Sequence, residues 1–386
     1  MSEVSSSPAD VVVAGGGVIG LASAWRLALA GMRVTVVDPD AGEAASWVAA
    51  GMLAPETEST FGEAEMLRLN LAALQAFPDV VAELESVTGT VVGLRREGTM
   101  TVAHYVDDMV ALRRLSTFRA TLGLDTELLD GRACRRLEPL LAAGIQGGVL
   151  AVGDLSIDNR RYFLALRAAC ALAGVRIVTG RVASVNVVDG AVTGVRLDTG
   201  GSIAAPAVVL AAGSWSGQIQ GADTWAPLPI RPVKGQHLRL RLPAGIPPVL
   251  TRTVRGVVEG RAVYLVPRAD GEVVVGATVE ERGYDRSVTA GAVHDLLRDA
   301  SALLPVLAEL VLAETGAGLR PGSPDNGPIV GRTSVEGLVV ATGHYRGGIL
   351  MSPITAEAVV AAVAGRPLVE AWAPFSPARF AASMAG

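Results

Sequence analysis

The sequence predicts an α/β fold, in which a Rossmann-like parallel sheet is assembled from separated segments and a second α+β domain carries an antiparallel sheet. Three observations lead to this prediction. A buried apolar strand near the N-terminus runs into a glycine-rich turn and a helix, apolar strands and helices recur further along, and short alternating strands begin at Pro227. The 386 residues also exceed what one hydrophobic core usually holds, which favours two domains.

The glycine-rich turn defines the first element of the fold. Val11–Ala14 is an apolar strand, and the residues after it follow the spacing Gly15-x-Gly17-x-x-Gly20. Gly15 allows a tight turn, Gly17 lets a pyrophosphate approach the backbone, and Gly20 lets the following helix pack closely on the strand. The free N–H groups and the dipole of that helix then favour a phosphate at its N-terminus.

The second strand supplies an acidic residue. The apolar segment 33–38 ends at Asp38, at the distance after the glycine turn where a carboxylate binds ribose hydroxyls. A glycine motif alone is weak evidence in a chain with 45 glycines. The strand before it, the helix after it and this carboxylate together predict a dinucleotide site. The pattern does not separate NAD from FAD.

Composition excludes several classes of protein. The net charge is −5 and there is no basic run, so the sequence does not indicate a nucleic-acid partner. Cys134 and Cys170 lack metal-ligand spacing, so we expect no metal site and two unpaired thiols, as in the cytoplasm. The uncharged segment 11–25 is too short to span a membrane, and the serine-rich residues 1–8 are expected to form a flexible tail.

Local signals predict the elements in the first half of the chain. Gly31 follows the first helix as a C-terminal cap, Pro78 is expected to interrupt a long helix, and Asp158 is expected to cap a later one. The predicted helices are 21–30, 63–84, 106–122, 134–139 and 160–172, and the predicted strands are 91–94, 99–103, 148–152, 175–179, 182–188, 191–197 and 208–212.

The pattern changes at Pro227. Short alternating strands indicate an antiparallel sheet, and glycine-rich loops return near Ala317. The predicted strands are 237–242, 261–266, 272–276 and 338–342, and the predicted helices are 290–304 and 353–364. The predicted division is a dinucleotide-binding domain over 9–85, 148–226 and 316–376, and a substrate-binding domain over 86–147 and 227–315.

Longer motifs carry a resemblance to a known family. Besides the glycine turn, these motifs are Ala49–Leu53, Val208–Ser216, Pro232–Gln236, Gly318–Gly331 and Thr342–Leu350. Together they resemble the D-amino-acid oxidase superfamily of FAD enzymes, over nearly the whole chain. Within it the chain is most similar to the glycine oxidases of thiamine biosynthesis, and Tyr264–Arg268 with Val274–Thr278 supports this narrower likeness.

The resemblance implies noncovalent FAD in a domain of the glutathione-reductase type. Neither cysteine lies in the C-terminal motifs, which argues against covalent attachment. Asp38 would bind the ribose, where glycine oxidases usually carry glutamate, and Val182 would meet the adenine edge through its backbone. The residues implied for the cofactor are Gly15, Gly17, Val18, Ile19, Gly20, Asp38, Pro39, Ala45, Ser46, Ala50, Gly51, Met52, Val182, Gly213, His344, Tyr345, Arg346, Gly347, Gly348, Ile349 and Leu350.

The segment 344–350 has a physical reason to hold the flavin. Its glycines free backbone N–H groups to point inward ahead of the predicted last helix. Such donors stabilise the negative charge of a reduced flavin. The alternative is a glycine-rich surface turn.

The resemblance also implies a site for the carboxylate of an amino acid. Arg320 and Arg346 match the two arginines that glycine oxidases use, and arginine fixes a carboxylate through two parallel hydrogen bonds. Tyr264 would border the carboxylate. Val279 and Ala262 stand where relatives often carry methionine and histidine, so both are expected to line a wider pocket. The alternatives are salt bridges between the domains for the arginines and a half-buried core position for the tyrosine.

The expected reaction is oxidation of glycine to iminoglycine, with oxygen reduced to hydrogen peroxide and the imine passed to a thiazole synthase. No acid or base is assigned, because hydride transfer from a neutral amine needs orientation, and only His344 of four histidines lies in a motif. The alternatives are a sarcosine or D-amino-acid oxidase or dehydrogenase, an NAD-dependent dehydrogenase, and a non-catalytic nucleotide-binding subunit. Lys234 either assists oxygen reduction or, as we favour, forms a structural ion pair. A homo-oligomer and the electron acceptor stay open.

Overall fold

The computed structural model describes residues 9–40, 44–221 and 228–384, so the predicted tail at 1–8 lies outside the described part. Within that part, a mainly parallel sheet and a larger, mainly antiparallel sheet form the two halves of the molecule. This arrangement confirms the predicted α/β fold.

The parallel sheet has six described strands, with the N-terminal strand in its middle. Val12 is in register with Val208 on one side and with Thr35 on the other. The central strands are continuously apolar because both faces of the sheet are covered. In sheet order the strands are β18 (Ile329–Arg332), β19 (Leu338–Thr342), β12 (Ala207–Leu210), β1 (Val11–Ala14), β2 (Val34–Asp38) and β8 (Arg176–Thr179), with β18 antiparallel to β19.

Alternate residues of this sheet enter two separate cores. Val11 and Val13 pack against helices, whereas Val12 and Ala14 pack against a three-stranded sheet on the other face. The helices are α1 (Val18–Leu29), α4 (Ala64–Thr88), α7 (Asn159–Leu172) and α9 (Gly348–Val363). The covering strands are β9 (Val182–Val188), β10 (Ala191–Leu197) and β11 (Ser202–Ala204).

The second sheet has eight described strands. Leu238, Leu265 and Val275 pack on one face against helix α8 (Ala290–Leu303), and the alternate residues turn toward the parallel sheet. In sheet order the strands are β17 (Val311–Gly322), β13 (Arg231–Arg241), β16 (Glu272–Gly276), β15 (Arg261–Pro267), β14 (Thr253–Val258), β4 (Thr99–Ala103), β6 (Gly147–Ala151) and β5 (Thr126–Asp130).

Shorter elements complete the described chain. They are α2 (Ala45–Val48), α3 (Pro55–Glu58), α5 (Val106–Thr121), α6 (Gly131–Leu137), β3 (Met52–Leu53), β7 (Leu155–Ser156) and 3-10 helices at Gly213–Gln218, Pro305–Glu309, Glu370–Phe375 and Pro377–Met384. Over the described ranges, no helix combines the length and apolar character that crossing a bilayer requires.

Two predictions at prolines were wrong. Helix α4 runs through Pro78 without a break, because Phe77 and Val81 are buried on its inner face and this packing outweighs the local penalty. Helix α9 begins before its predicted start at Pro353. The hydroxyl of Ser352 donates to the carbonyl of Ile349, which is the acceptor that a proline leaves free, at 2.8 Å.

Another departure concerns the segment 91–94, which forms no strand. The N–H of Val92 donates to Glu85 Oε1 at 2.8 Å and is therefore not free for a ladder. The cap at Asp158 is confirmed, since its side chain accepts from the N–H of Arg160 and Arg161. The predicted boundaries at 148 and 316 fall inside β6 and β17, and the division into domains stays a prediction.

Candidate cofactor and substrate site

A cavity of about 790 Å³ lies between the carboxyl edge of the parallel sheet and the inner face of the antiparallel sheet. Parallel sheets bind ligands at this edge. Of the predicted residues, Gly20, Gly347 and Leu350 are not at its wall. The predicted residues that line it are Gly15, Gly17, Val18, Ile19, Asp38, Pro39, Ala45, Ser46, Ala50, Gly51, Met52, Val182, Gly213, Tyr264, Val279, Arg320, His344, Tyr345, Arg346, Gly348 and Ile349.

The glycine turn forms one end of the cavity. A Cβ at Gly15 would overlap the backbone after β12, and a Cβ at Gly20 would overlap the carbonyl oxygen of Gly15. Gly17 begins α1 without a side-chain cap, and the N–H of Val18 donates to Ser46 Oγ at 3.1 Å. The close packing and the uncapped helix end together fit a phosphate group at this wall.

Asp38 lies beside the turn with a fixed orientation. Its Oδ2 accepts from the N–H of Gly16 at 2.6 Å, and its Oδ1 accepts from the N–H of Asp40 at 3.0 Å. Val182, at the start of β9, lines the same end of the cavity. This arrangement fits the ribose and adenine of a dinucleotide.

The loop before α9 forms a second stretch of the wall. His344 is buried, and its Nε2 lies 3.0 Å from Thr355 Oγ1. Burial lowers the pKa of His344 to about 3, so the ring is neutral and turned into the protein. The N–H of Tyr345 donates to the carbonyl of Pro321 at 3.0 Å, which joins the loop to β17. Helix α9 begins after Gly347 without a side-chain cap, so backbone donors lie at the cavity wall.

A single row of residues across the antiparallel sheet forms the opposite wall. The register pairs His237 with Gly276, Gly276 with Tyr264, and Tyr264 with Arg255. Arg255 in turn pairs with Thr101. Residues directly opposite each other lie on one face of a sheet. Of the residues in this row, only the tyrosine was predicted from the sequence as a site residue. The others could not be predicted because the register joins strands that are distant along the chain.

Two glycines make room for the predicted substrate side chains. The guanidinium of Arg320 lies across Gly235, where an added Cβ would come within 2.5 Å of Arg320 Cζ. Its Nη1 donates to the carbonyl of Thr278 at 3.2 Å. The ring of Tyr264 lies across Gly276 in the same way, and burial raises the pKa of this tyrosine, so its hydroxyl stays protonated. A glycine inside a strand can signal such an approach, but the sequence alone did not single out either one.

Arg346 and Arg255 face a common carboxylate. Arg346 is exposed, with its Cζ 4.9 Å from the centroid of the Tyr345 ring, and it interacts electrostatically with Glu58. Arg255 Nη1 donates to Glu58 Oε1 at 2.8 Å. Neither Arg255 nor Glu58 was predicted as a site residue, although both line the cavity.

A pair of neighbouring carboxyl groups, Asp154 buried and Glu56 half-buried, supports the helix that carries Glu58. Asp154 accepts from the N–H of Glu56 at 3.0 Å and from Thr57 Oγ1 at 2.6 Å. Burial raises the pKa of Asp154 to about 6. Burial and the neighbouring Asp154 raise the pKa of Glu56 to about 7. Both carboxyl groups therefore hold a proton more readily than an exposed carboxyl group does.

Three further residues considered in the sequence, Lys234, Cys134 and Cys170, lie away from the cavity wall. Lys234 Nζ lies 2.6 Å from Asp285 Oδ2, and this lysine is 1% exposed and not at the cavity wall. Alternation places it on the face opposite Gly235, in agreement with the ion-pair interpretation. Cys134 and Cys170 are buried and unpaired, and neither lines the cavity.

The cavity thus combines two kinds of recognition. Backbone donors at the starts of α1 and α9, with Asp38, fit a long dinucleotide. The guanidinium groups and the tyrosine on the opposite side fit a small carboxylic acid. The arrangement fits a dinucleotide cofactor and a small acid next to each other.

Comparison with known proteins agrees with this geometry. The family model DAO, FAD dependent oxidoreductase, matches residues 10–362. A glycine oxidase from Geobacillus kaustophilus is 34% identical over 375 residues, covering 96% of this chain and 97% of its own. The crystal structure of glycine oxidase from that organism superposes with a TM-score of 0.90 at 31% identity, covering 97% of this chain and 99% of the other.

A longer relative matches as well. The bifunctional protein ThiO/ThiG from Synechocystis sp. is 37% identical over 382 residues, covering 96% of this chain and 54% of that protein. The chain therefore spans about half the length of this relative. From the family match over most of its length, the chain belongs to the DAO family of FAD-dependent oxidoreductases.

Proposed function

We propose that the protein is a glycine oxidase, which converts glycine to iminoglycine and reduces oxygen to hydrogen peroxide. One observation carries the proposal. Arg320, Tyr264 and Arg346 line the same cavity as the glycine turn and the loop before α9. The similarity to a glycine oxidase over nearly the whole of both chains supports the same substrate.

The residues around the cavity would hold FAD along its length. The start of α1 and Ser46 would bind the pyrophosphate, Asp38 the ribose, Val182 the adenine edge, and the start of α9 the pyrimidine end of the flavin. When bound, FAD supplies the hydride acceptor for the oxidation.

The protein contributes orientation and charge. Arg320 and Arg346 would each donate paired hydrogen bonds to the substrate carboxylate, and the protonated hydroxyl of Tyr264 would donate a further one. Burial and nearby arginines, Arg239 foremost, lower the pKa of His237 to about 4, and this ring is 1% exposed. With His344 turned into the protein, neither histidine is positioned as a base, so catalysis depends on a substrate amine that is already neutral.

A second candidate substrate is sarcosine or a small D-amino acid. Ala262 and Val279 both line the cavity, and Val279 is 63% exposed. Short side chains at these two positions leave room for a methyl group on the nitrogen or on Cα. This observation favours a broader preference than glycine alone.

The product suggests a partner. An imine hydrolyses readily in water, so an enzyme that consumes it has to receive it quickly. The relative ThiO/ThiG contains a segment like this chain and a further segment of similar length in one polypeptide. We infer that the imine is passed to a thiazole synthase, and we expect thiazole formation in a coupled assay to exceed that obtained with free glyoxylate and ammonia.

Anaerobic mixing tests the proposed function. We expect glycine to bleach the flavin absorbance of the purified protein, and oxygen to restore it with release of hydrogen peroxide. Arg320→Leu should require about 100-fold more glycine, because a charge-assisted pair of hydrogen bonds is lost. The matched control is Arg332→Leu, an exposed arginine of β18 away from the cavity. Failure of glycine to reduce the flavin would rule the proposal out, and reduction by sarcosine or D-alanine alone would favour the second candidate substrate.

The pH dependence is a second arm of this test. Only the neutral amine can release the hydride, so kcat/KM for glycine should rise with pH as the substrate ammonium loses its proton. A flat profile from neutral to alkaline pH would contradict the orientation mechanism.

A further inference from the structure

Arg255 is a third guanidinium on the substrate side of the cavity. It stands directly opposite Tyr264 in the sheet register, and its side chain is 19% exposed. It donates to Glu58 through Nη1, which leaves the rest of its donor fork for another acceptor. Glycine has a single carboxylate, which Arg320 and Arg346 already account for. The inference below rests on the proposed function, and it concerns what this third group binds.

The charges around this side do not balance with glycine alone. We call the part of the cavity lined by Arg320, Arg346, Tyr264, Arg255 and Glu58 the substrate chamber. Among the described residues of the chamber, three guanidinium groups face one carboxylate. A glycine with a neutral amine brings one negative charge and leaves positive charge uncompensated.

Carboxylates behind this wall offset part of the positive charge, since Asp154 interacts electrostatically with Arg255 and Glu63 with Arg346. Arg119 and Asp108 also line the cavity, but both are buried and their charges are opposite in sign. An anion is therefore the kind of group that the remaining positive charge favours.

The geometry separates two anion sites. The guanidinium of Arg320 lies over Gly235 on β13, and the ring of Tyr264 leans over Gly276, away from β14. Strand order is β13, β16, β15 and β14, so Arg255 and Arg320 flank the tyrosine from opposite sides. Three strand spacings, roughly 14 Å, separate the backbones of β13 and β14. The side chains of Arg255 and Arg320 reach inward from these two sides. The distance left between their guanidinium groups suits a substrate with two acidic groups several bonds apart.

Beside Tyr264, which lies between these sites, the wall is apolar and made of small or medium side chains. Val257 and Ala262 form a cross-strand pair next to the row of Arg255 and Tyr264, and Leu115 of α5 faces the cavity. Such a surface fits a short methylene linker, because it offers contact without competing hydrogen bonds.

We propose that Arg255 determines specificity by binding a second acidic group of the substrate, so that the enzyme oxidises amino dicarboxylates such as iminodiacetate, D-aspartate or D-glutamate. The chemistry is that proposed for glycine. Bound FAD would supply the hydride acceptor: the substrate would lose the Cα–H hydride and, from its nitrogen, a proton as the C=N bond forms, and oxygen would take up these two electrons and two protons as hydrogen peroxide.

Binding of inert acids tests the site without turnover. The ligands are glutarate and butyrate, which have similar carbon chains but two carboxylates and one, titrated calorimetrically into the FAD-loaded enzyme. We expect glutarate to bind about tenfold more tightly than butyrate, and Arg255→Met to remove that difference. Arg255→Lys keeps the charge and the pairing with Glu58 and should retain part of the preference.

The matched control is Arg261→Met. Arg261 is on the neighbouring strand β15, but it pairs with Asp299 on the face away from the cavity, so the preference for glutarate should be kept. Equal affinities of the unmodified enzyme for glutarate and butyrate would overturn the proposal.

Kinetics with isosteric substrates separate this inference from the proposed function. The ratio of kcat/KM for D-glutamate over D-glutamine, and for iminodiacetate over sarcosine, should exceed one and fall about 30-fold in Arg255→Met. Ratios that do not change in Arg255→Met would overturn the inference. If iminodiacetate reduces the flavin and glycine does not, the proposed function fails while the inference stands; the reverse result refutes the inference alone.

Discussion

The two sides of the cavity are built on different principles. The cofactor side uses the backbone: the turn from Gly15 to Gly20 and the uncapped starts of α1 and α9 present N–H groups. The substrate side uses side chains from separate strands, aligned by register into one row that contains Tyr264 and Arg255. Glycines serve both sides, but on the first they make room for the backbone and on the second for a side chain, Arg320 or Tyr264.

That difference predicts how a glycine substitution should affect each side of the cavity. A methyl group added against the backbone cannot be accommodated by moving a neighbouring side chain. Such a substitution should therefore damage folding and cofactor binding together. An obstruction against the end of a long side chain can be relieved by moving that side chain, so it should damage recognition while the fold survives.

The largest effect is expected for Gly20→Ala. The added methyl group would overlap the carbonyl oxygen of Gly15, and we expect a loss of about 2–4 kcal/mol of unfolding free energy together with the bound flavin. Thermal unfolding and flavin content measure both. Gly291→Ala, a helical position with open space around it, is the control and should be neutral or slightly stabilising. Equal melting temperatures for the two variants would contradict the idea that the cofactor side depends on close packing against the backbone.

Gly235→Ala is the corresponding change on the substrate side. The new methyl group displaces the guanidinium of Arg320, so we expect KM for glycine to rise about 100-fold with less than about 1 kcal/mol lost in stability. Flavin content should stay normal. Stopped-flow reduction and thermal unfolding check the two parts, and a variant that loses its flavin would show that this wall also builds the cofactor site.

The smallest effect concerns the support beneath Glu58. The pKa of Glu56 is raised from 4.5 to about 7, so the folded chain keeps this proton over a range in which the unfolded chain has lost it. The contribution of Glu56 to the free energy of unfolding is therefore fully present below about pH 4.5, and it is lost as the pH rises through about 7. Because Glu56 is partly exposed and coupled to Asp154, we expect about 1 kcal/mol.

Glu56→Gln isolates that contribution. The variant should flatten the decline in melting temperature between pH 5 and 8, whereas the exposed Glu127→Gln should leave it unchanged. A steeper decline in Glu56→Gln would mean that the glutamate is ionised in the folded protein.

The sequence predicted the cofactor side well because its signals are local. The glycine spacing, the carboxylate at the end of β2 and the hairpin of β9 and β10 each lie within a short stretch of chain, and each is found where expected. The start of α9 was missed because the proline penalty is compensated by Ser352, a side-chain contact that propensity does not include.

On the substrate side, the sequence predicted only those residues that belong to a motif of the resembled family. Strand β14, which carries Arg255, was not predicted, since Gly256 interrupts its apolar pattern. The structure explains that glycine, because a Cβ there would collide with Leu303 of α8. The register that aligns β13, β16, β15 and β14 depends on pairing between distant segments, and no local pattern contains it.

The placement of Gly15 and Ile349 at a single cavity has a consequence for biosynthesis. Translation at about 5–20 residues per second makes α9 on the order of 20–60 s after the glycine turn. Throughout that interval the nascent chain has only part of the cleft. A dinucleotide that contacts both parts would therefore bind only after α9 has been made, and its binding would couple the folding of these two distant segments.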